Sequence, residues 1–162
     1  MVNDKTRLTN RLTSVLKGYF PQVLGWFAAL DTWLVCDFLK RWPTLEAVQE
    51  TDDPTLQAFF QAHHAHHRAI NQQRMDGIRQ AIPATTDQAV IRASVMLVHT
   101  LVEPVGCLTE AIARFEKEID ALTRSHEDVP IFTSLPGAGP VHASRFISAL
   151  GTDRSRYEHV ED

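Results

Sequence analysis

The sequence has only two cysteines, Cys36 and Cys107, which are far apart and lie among apolar residues. Neither has a second thiol at metal-ligand spacing, which excludes a zinc site built on thiolates, and two cysteines cannot form a disulfide framework. Cysteines in such surroundings are typical of reduced proteins, so we expect a cytoplasmic location.

The net charge is also small, with a formal value of -4 for 162 residues. A general attraction to nucleic acid or to an anionic membrane is therefore not expected, and any such contact must come from a local basic cluster.

Long apolar runs are lacking, since the most apolar one, Trp26 to Leu39, contains Asp31 and Asp37. The polar start from Met1 to Lys5 has no signal-peptide pattern, so neither export nor a membrane partner is expected.

Apolar residues recur at helical spacing along most of the chain, which predicts an all-α fold. The apolar face of the first helix consists of Leu8, Leu12, Val15, Leu16, Tyr19 and Phe20. We expect this helix to end at Pro21 and a second helix to run from about Trp26 to Arg41. The next helix is short and is capped by Thr44, and Asp53 with Pro54 marks the start of another.

Two long helices follow, and their apolar residues keep the four-and-three rhythm of a coiled coil. The first runs from Pro54 to Ile82, with a seam of Leu56, Phe60, His63, His67 and Ile70. The second runs from Thr86 to about Ser125, after a capping box of Thr85 and Gln88. Its seam is Ile91, Val95, Val98, Val102 and Val105, then Leu108, Ile112, Phe115, Ile119 and Leu122. The short connection predicts an antiparallel helical hairpin, and Pro104 with a change of phase predicts a bend. Such a hairpin exposes much of its seam, so we expect a homo-oligomer, in the simplest case a dimer.

The run AHHAHH, residues 62–67, brings four histidines together. On a continuous helix, His63 and His67 lie one turn apart on one face, a spacing that can chelate zinc or nickel. No carboxylate or cysteine nearby completes a ligand set, and the glutamate of an HExxH zinc site is missing. The other interpretation, which we favour, is that these histidines are polar seam positions that fix the register of a coiled coil.

The stretch SLPGAGP, residues 134–140, predicts a tight turn that leads into a C-terminal helix. Free backbone amides at such a turn attract phosphate, so Gly137, Ala138 and Gly139 are candidate contacts to a nucleic-acid backbone. If a helical turn precedes it from Val129 onward, the unit is helix-hairpin-helix-like, a motif that grips the backbone without reading sequence. A purely structural turn is the alternative.

Basic residues cluster on the first helix, where Lys5, Arg7, Arg11 and Lys17 surround the apolar face. A solvated helix surface and a surface that contacts phosphate are both compatible with this pattern. No serine, histidine and carboxylate stand at the spacing of a known catalytic arrangement. We therefore predict no complete active site and no cofactor in this chain.

Three motifs in a fixed order make the chain resemble a known family. They are TRLTNRL at 6–12, YFP at 19–21 and LPGAGP at 135–140. With the long helices between them, residues 5–24 and 131–157 are similar to the DEDD transposases of the insertion-sequence family one-ten. These transposases resemble the Piv-type DNA invertases and include recombinases guided by a structured RNA.

The resemblance implies a DNA transposase of three parts. These are an N-terminal RuvC-like nuclease domain whose acidic residues hold magnesium, a coiled coil for oligomerisation, and a C-terminal domain with a nucleophilic serine. It implies DNA as a partner, and a guide RNA in some members. Gly137 and Gly139 match the family's hairpin, and Arg145, Arg154 and Arg156 are the expected neighbours of a phosphate backbone.

The similarity begins after the acidic residues and ends before the serine segment, so we expect a truncated middle portion without catalytic residues. Residues 1–43 would be the trailing part of the RuvC-like domain, 44–128 the coiled-coil hairpin, and 129–162 an incomplete C-terminal domain. Such a chain would retain oligomerisation and nucleic-acid binding, and a full-length transposase would be among its partners. The alternative is a stand-alone helical protein with an oligomerisation or metal-binding structural role.

Overall fold

The structure, a computed structural model, describes residues 1–137 and 139–150, and all regular secondary structure in these residues is helical. The helices are α1 (Val2–Tyr19), α2 (Gln22–Trp26), α3 (Trp33–Arg41), α4 (Leu45–Gln49), α5 (Asp53–Ala62), α6 (Arg68–Gln80), α7 (Gln88–Arg124), α8 (Val129–Thr133) and α9 (Pro140–Leu150). The predicted all-α fold is confirmed. The chain divides into two compact units, Met1–Glu110 and the part from Ala111 onward.

The first unit is built around an aromatic core. Phe38 of α3 lies at its centre and is fully buried, with the rings of Phe27 and Trp42 at centroid distances of 5.0 and 5.3 Å. Helix α1 contributes Leu12 and Leu16, as its spacing predicts. Because these side chains lie one turn apart on one face, a single stripe of α1 is enough to bury them.

The predicted second helix is wrong at its start, since residues 27–32 interrupt it and α3 begins at Trp33. Thr32 caps α3 by accepting the Val35 N–H at 3.4 Å. Asp31, in the interruption, forms an ion pair with Lys5 at 2.8 Å. A local cap and a tertiary ion pair thus hold a non-helical segment where the apolar spacing alone favours a helix.

Helices α4 and α5 begin at side-chain caps. Thr44 accepts the Ala47 N–H at 3.2 Å, which confirms the predicted cap of the short helix. Asp52, one residue before the predicted Asp53, caps α5 by accepting the Thr55 N–H at 3.0 Å. Both caps satisfy amides that would otherwise lack a partner in the first helical turn.

The predicted continuous helix from Pro54 to Ile82 is wrong, because α5 ends at Ala62 and α6 begins at Arg68. The end of α5 is a Schellman motif, in which the Ala65 N–H donates to the Phe60 carbonyl at 3.0 Å. His64 occupies the left-handed position of that motif, with φ of 55°. The seam that placed His63 and His67 on one helical face therefore does not exist.

Helix α7 is confirmed as the long helix of the chain, with 37 residues. The predicted capping box is not the cap that forms, since Asp87 accepts the Ala89 N–H at 2.8 Å. The helix continues through Pro104, so the bend expected there stays a prediction. Within the first unit, its buried residues Val98, Leu101, Val102 and Val105 join the core.

The antiparallel hairpin is not confirmed. Helix α6 packs against α2, α4 and α5, and its buried apolar residues Met75 and Ile78 lie in the core of the first unit. Gln49 of α4 fixes this arrangement by donating to the Ile78 and Ala81 carbonyls at 2.8 and 2.9 Å. With only 13 residues, α6 is too short to match α7 along its length.

Helix α7 is also long and apolar enough, by length and composition, to cross a membrane. The same properties belong to core helices of proteins that never enter a membrane, and about a quarter of its most apolar window, 28%, is buried.

Cys36 of α3 is buried and lies close to α7 at Gly106, where an added Cβ would stand 4.0 Å from the Cys36 Sγ. Cys107, the next residue along α7, is exposed.

Candidate nucleic-acid interface

The turn between α8 and α9 has the form that its glycines predict. Gly137 has φ of +81°, a backbone conformation that side chains with a Cβ rarely adopt. The two helices pack through the stacked rings of Phe132 and Phe146, whose centroids are 5.8 Å apart, and Ala143 is buried. A helical turn therefore does precede the glycines, as the helix-hairpin-helix-like interpretation requires.

Hydrogen bonds inside the turn use some of the groups that were expected to face a phosphate. The Gly139 N–H donates to the Gly137 carbonyl at 3.2 Å. The Gly139 carbonyl accepts from His142 and Ala143 at 2.9 and 3.0 Å, which starts α9. Pro140 has no N–H to offer. The turn thus offers fewer free amides than the sequence predicts, and the Gly139 amide is not among them.

Arg145 lies on α9 after this turn, and its side chain is exposed. It forms no ion pair with another residue that the structure describes. The remaining candidates of this region, Ala138, Arg154 and Arg156, lie outside the described residues. Among the described residues, Arg145 is therefore the cation that can contact an anion at this turn.

The basic face of α1 is smaller than the sequence suggests, because Lys5 is engaged inside the first unit. Its side chain is only 20% exposed and its ammonium is paired with Asp31, and this hydrogen bond holds the pKa of Asp31 below its usual range. Arg7 is 83% exposed and lies 3.7 Å from Asp4, too far for a hydrogen bond. Arg11 is exposed and has no ion pair among the described residues. Among the described residues, Arg11 and Lys17 are exposed cations of α1 without an ion pair, and Arg7 stays largely exposed beside Asp4.

The histidines are spread over a connection rather than a helical face. His63 Nε2 lies 3.6 Å from Asp37 Oδ2, and its ring packs against Phe59 at a centroid distance of 4.5 Å, tilted by 48°. His67 occupies the N-cap position of α6. Among the described residues, no group of three or more histidine, cysteine or acidic side chains could hold a metal ion.

Two arginines that the sequence did not single out have structural roles. Arg74 is partly buried, donates to the Trp26 carbonyl at 3.0 Å and to Asn71 Oδ1 at 3.1 Å, and lies over the ring of Phe27. Burial lowers its pKa. Arg79 bridges α6 to the carbonyl of Gln49 at 2.6 Å. Since both guanidinium groups are satisfied inside the fold, neither is a candidate for phosphate.

A cleft of about 490 Å³ lies in the first unit between α4 and the start of α7. Its walls include Tyr19, Gln49 and Thr86, together with Glu46 and Glu50, which are one helical turn apart. Two carboxylates in a cleft without a cation repel a phosphate group. This cleft is therefore not part of a nucleic-acid interface.

Comparison with known proteins gives one informative similarity. The chain is 26% identical over 160 residues to the "Mini-circle putative transposase for IS117" of Streptomyces coelicolor. The alignment covers 95% of this chain but 38% of that protein, so the chain spans less than half the length of the relative. No family model and no solved structure matches the chain. The similarity supports a relationship to transposases along nearly the whole sequence.

Proposed function

We propose that this chain is a portion of an insertion-sequence transposase of the DEDD type, family one-ten, and acts in DNA transposition. The observation that carries the proposal is the similarity to a transposase over 160 residues, which covers 95% of this chain. In this portion the chain supplies oligomerisation and contacts to the DNA backbone. The acidic residues that bind magnesium and the nucleophilic serine belong to other parts of such a protein.

The first DNA contact in this proposal is the turn between α8 and α9 with Arg145. A glycine-rich turn at a helix N-terminus places the positive end of the helix dipole next to a phosphate. Since the Gly139 amide is already bonded to Gly137, the exposed guanidinium of Arg145 has to supply most of the attraction. Such a contact positions the backbone and reads no sequence.

The second DNA contact is the pair Arg7 and Arg11 on α1. They are one helical turn apart and exposed, so both can face the same strand of a duplex. Lys5 is left out of the interface, because its ion pair with Asp31 would have to break. A structured guide RNA presents the same phosphate chemistry and is the alternative partner for these cations.

Oligomerisation is proposed to use the apolar stripe of α7 that the second unit leaves uncovered. Phe115, Ile119 and Leu122 are 59%, 49% and 64% exposed, and they follow one another at spacings of four and three. This is the spacing of a coiled-coil seam, and large exposed apolar stripes are typical of interfaces. A full-length transposase carrying the same stripe would join the same assembly.

The test is DNA binding measured by fluorescence anisotropy over a salt series. We expect an affinity for any duplex that falls steeply with salt, with a slope set by the number of phosphates contacted. Replacing Gly137 by valine should weaken binding, whereas Gly137→Asn should retain it, since asparagine tolerates a positive φ. A chain that stays folded and shows no salt-dependent binding would contradict the nucleic-acid role.

The second candidate function is a stand-alone helical oligomerisation protein. The exposed stripe of α7 favours it, as does the formal charge of -4, which opposes DNA. It predicts assembly without DNA binding. Measuring oligomer mass and anisotropy on the same preparation distinguishes the two functions.

A further inference from the structure

The connection between α5 and α6, residues 63–67, holds two imidazoles next to each other on the surface. The ring centroids of His64 and His66 are 5.7 Å apart, and both side chains are exposed. Neither ring has another hydrogen-bond or ion-pair partner among the described residues. The other two histidines of the run are placed differently, since His63 faces Asp37 and Phe59 and His67 begins α6.

The backbone that carries these two rings is fixed from both helices. Ala65, which stands between them, donates its N–H to the Phe60 carbonyl of α5 at 3.0 Å. Its carbonyl accepts from Asn71 Nδ2 of α6 at 2.5 Å, and Asn71 is itself buried and bonded to Arg74. The His66 N–H also donates to the His64 carbonyl at 3.0 Å. Only side-chain rotations remain free, so bringing the two rings onto one ion costs little conformational entropy.

We propose that His64 and His66 form a surface chelate for a divalent late transition metal ion, of the Zn²⁺, Ni²⁺ or Cu²⁺ class. Imidazole nitrogen is a preferred ligand of these ions. With nitrogen ligands at about 2 Å from the ion, two ring centroids stand roughly 4.5–5 Å apart, so the observed rings must approach by about 1 Å. Water fills the other coordination positions.

The left-handed backbone at His64 supports this assignment. That conformation is sterically unfavourable for a residue with a Cβ, and this position of a Schellman motif is usually occupied by glycine or asparagine. The consequence of a histidine here is that its ring points across the connection to His66. The cleft of about 220 Å³ beside His66 is lined by the uncharged side chains of Gln57 and Gln61, among others. Arg68 also lines this cleft, and water screens its charge at this exposed place.

The site would stiffen the connection between α5 and α6, because both ligands lie within that connection. It differs from the pair His63 and His67 that the sequence suggested, and it is independent of the transposase proposal. Binding an ion to the folded state alone raises the stability of the first unit by mass action.

The experiment is isothermal titration of the untagged full chain with NiCl₂, after removal of metal with a chelator. We expect one ion per chain, together with a higher melting temperature when Ni²⁺ is present. We expect binding to weaken at least about tenfold in His66→Ala and in His64→Asn, which keeps the left-handed backbone. Losing a residue that only supports a metal ligand already costs about tenfold in affinity, so losing the ligand itself should cost at least as much. His67→Ala is the matched control in the same run and should bind like the parent chain.

Each of the following results would overturn the proposal. They are no heat of binding to the parent chain, an affinity unchanged in His66→Ala, and a loss in His67→Ala as large as that in His66→Ala. A stoichiometry of one ion per two chains would also overturn it, because the chelate lies within one chain. Circular dichroism on each variant, with the helix content of the parent chain, excludes unfolding as the cause of a loss.

Discussion

Gly77 of α6 lies against the indole of Trp26, so closely that a Cβ at position 77 would stand 2.9 Å from the indole Nε1. The indole is in turn packed on Phe20, at a centroid distance of 5.7 Å, and on Phe38, at 6.3 Å. A helix interior normally disfavours glycine. Here the close approach of α2 and α6 requires it.

Gly77→Ala should therefore destabilise the protein, although alanine is the better helix former. Overpacking against a ring that is itself packed costs about 1–3 kcal/mol, and the gain in helix propensity returns about 1 kcal/mol. Gly18→Ala on α1 is the matched control, because nothing lies within 4 Å of a Cβ there, and it should stabilise by about 0.5–1 kcal/mol. Urea unfolding followed by circular dichroism measures both, and an equal gain for the two variants would contradict the close packing.

His64→Gly should stabilise the chain by up to about 1 kcal/mol, measured in the presence of a chelator. Glycine adopts the φ of 55° at this position without the steric cost that a Cβ imposes. His66→Gly should destabilise by a similar amount, since His66 is not in that conformation and glycine only adds entropy to the unfolded chain. If the two substitutions have the same sign, the end of α5 is not the Schellman motif described above.

Stability should fall in acid partly because Asp31 loses its partner. The hydrogen bond from Lys5 lowers the pKa of Asp31, while partial burial opposes it. A folded-state pKa below the unfolded one gives a stabilisation that is complete above the unfolded pKa and is lost as the pH falls through the folded pKa. Asp31→Asn should cost about 0.5–1 kcal/mol near neutral pH and nothing at low pH, where both chains carry a neutral group.

The pH dependence is measured by urea unfolding of the parent chain and Asp31→Asn between neutral pH and about pH 2, below the usual range for carboxyl groups. Lys5→Met should show the same neutral-pH loss, and the double variant should lose no more than either single one. Additive losses would mean that the ion pair contributes nothing. Lys5→Met should also leave DNA binding unchanged, because Lys5 is not proposed to face phosphate.

Arg145→Gln should weaken DNA binding about equally for all sequences and reduce the salt slope by about one phosphate. Its guanidinium is exposed after the turn and has no described ion-pair partner. Arg114→Gln on α7 is the control of equal charge change in the same unit. The turn is not a DNA contact if the two variants shift the anisotropy titration by the same amount.

Polar substitution of the α7 stripe should dissociate the oligomer and leave the helices intact. Ile119→Glu places a charge in the middle of the proposed seam, where it cannot be buried without a partner. Glu118→Gln, on the neighbouring exposed position, is the control. Light scattering coupled to size exclusion gives the mass of each variant. An unchanged mass for Ile119→Glu would show that Phe115, Ile119 and Leu122 are not the interface.

Local signals predicted much of this fold correctly. Thr44 caps α4 as expected, because an N-cap needs only three neighbouring residues. Gly137 takes the positive φ that a turn between two prolines predicts. The apolar face of α1 is buried at Leu12 and Leu16, as a single helical period requires.

The errors arose where contacts that the apolar spacing does not reveal decide the conformation. The interruption before α3 depends on the ion pair between Lys5 and Asp31. These residues are 26 positions apart, and no periodic pattern in the sequence links them. The end of α5 has neither glycine nor proline, since His64 takes the place that glycine usually occupies. The engagement of Lys5 and of the Gly139 amide likewise follows from contacts that spacing does not reveal.

The environments of the two cysteines make the native chain suitable for labelling at one site. Burial raises the pKa of the Cys36 thiol to about 11, so it is almost never the reactive thiolate, whereas Cys107 is exposed on α7. A maleimide spin label or fluorophore should therefore attach to Cys107 alone, with no cysteine removed by mutation. In an oligomer, each chain would carry one probe on α7. Dipolar spectroscopy or energy transfer would then measure the distance between the α7 helices of neighbouring copies.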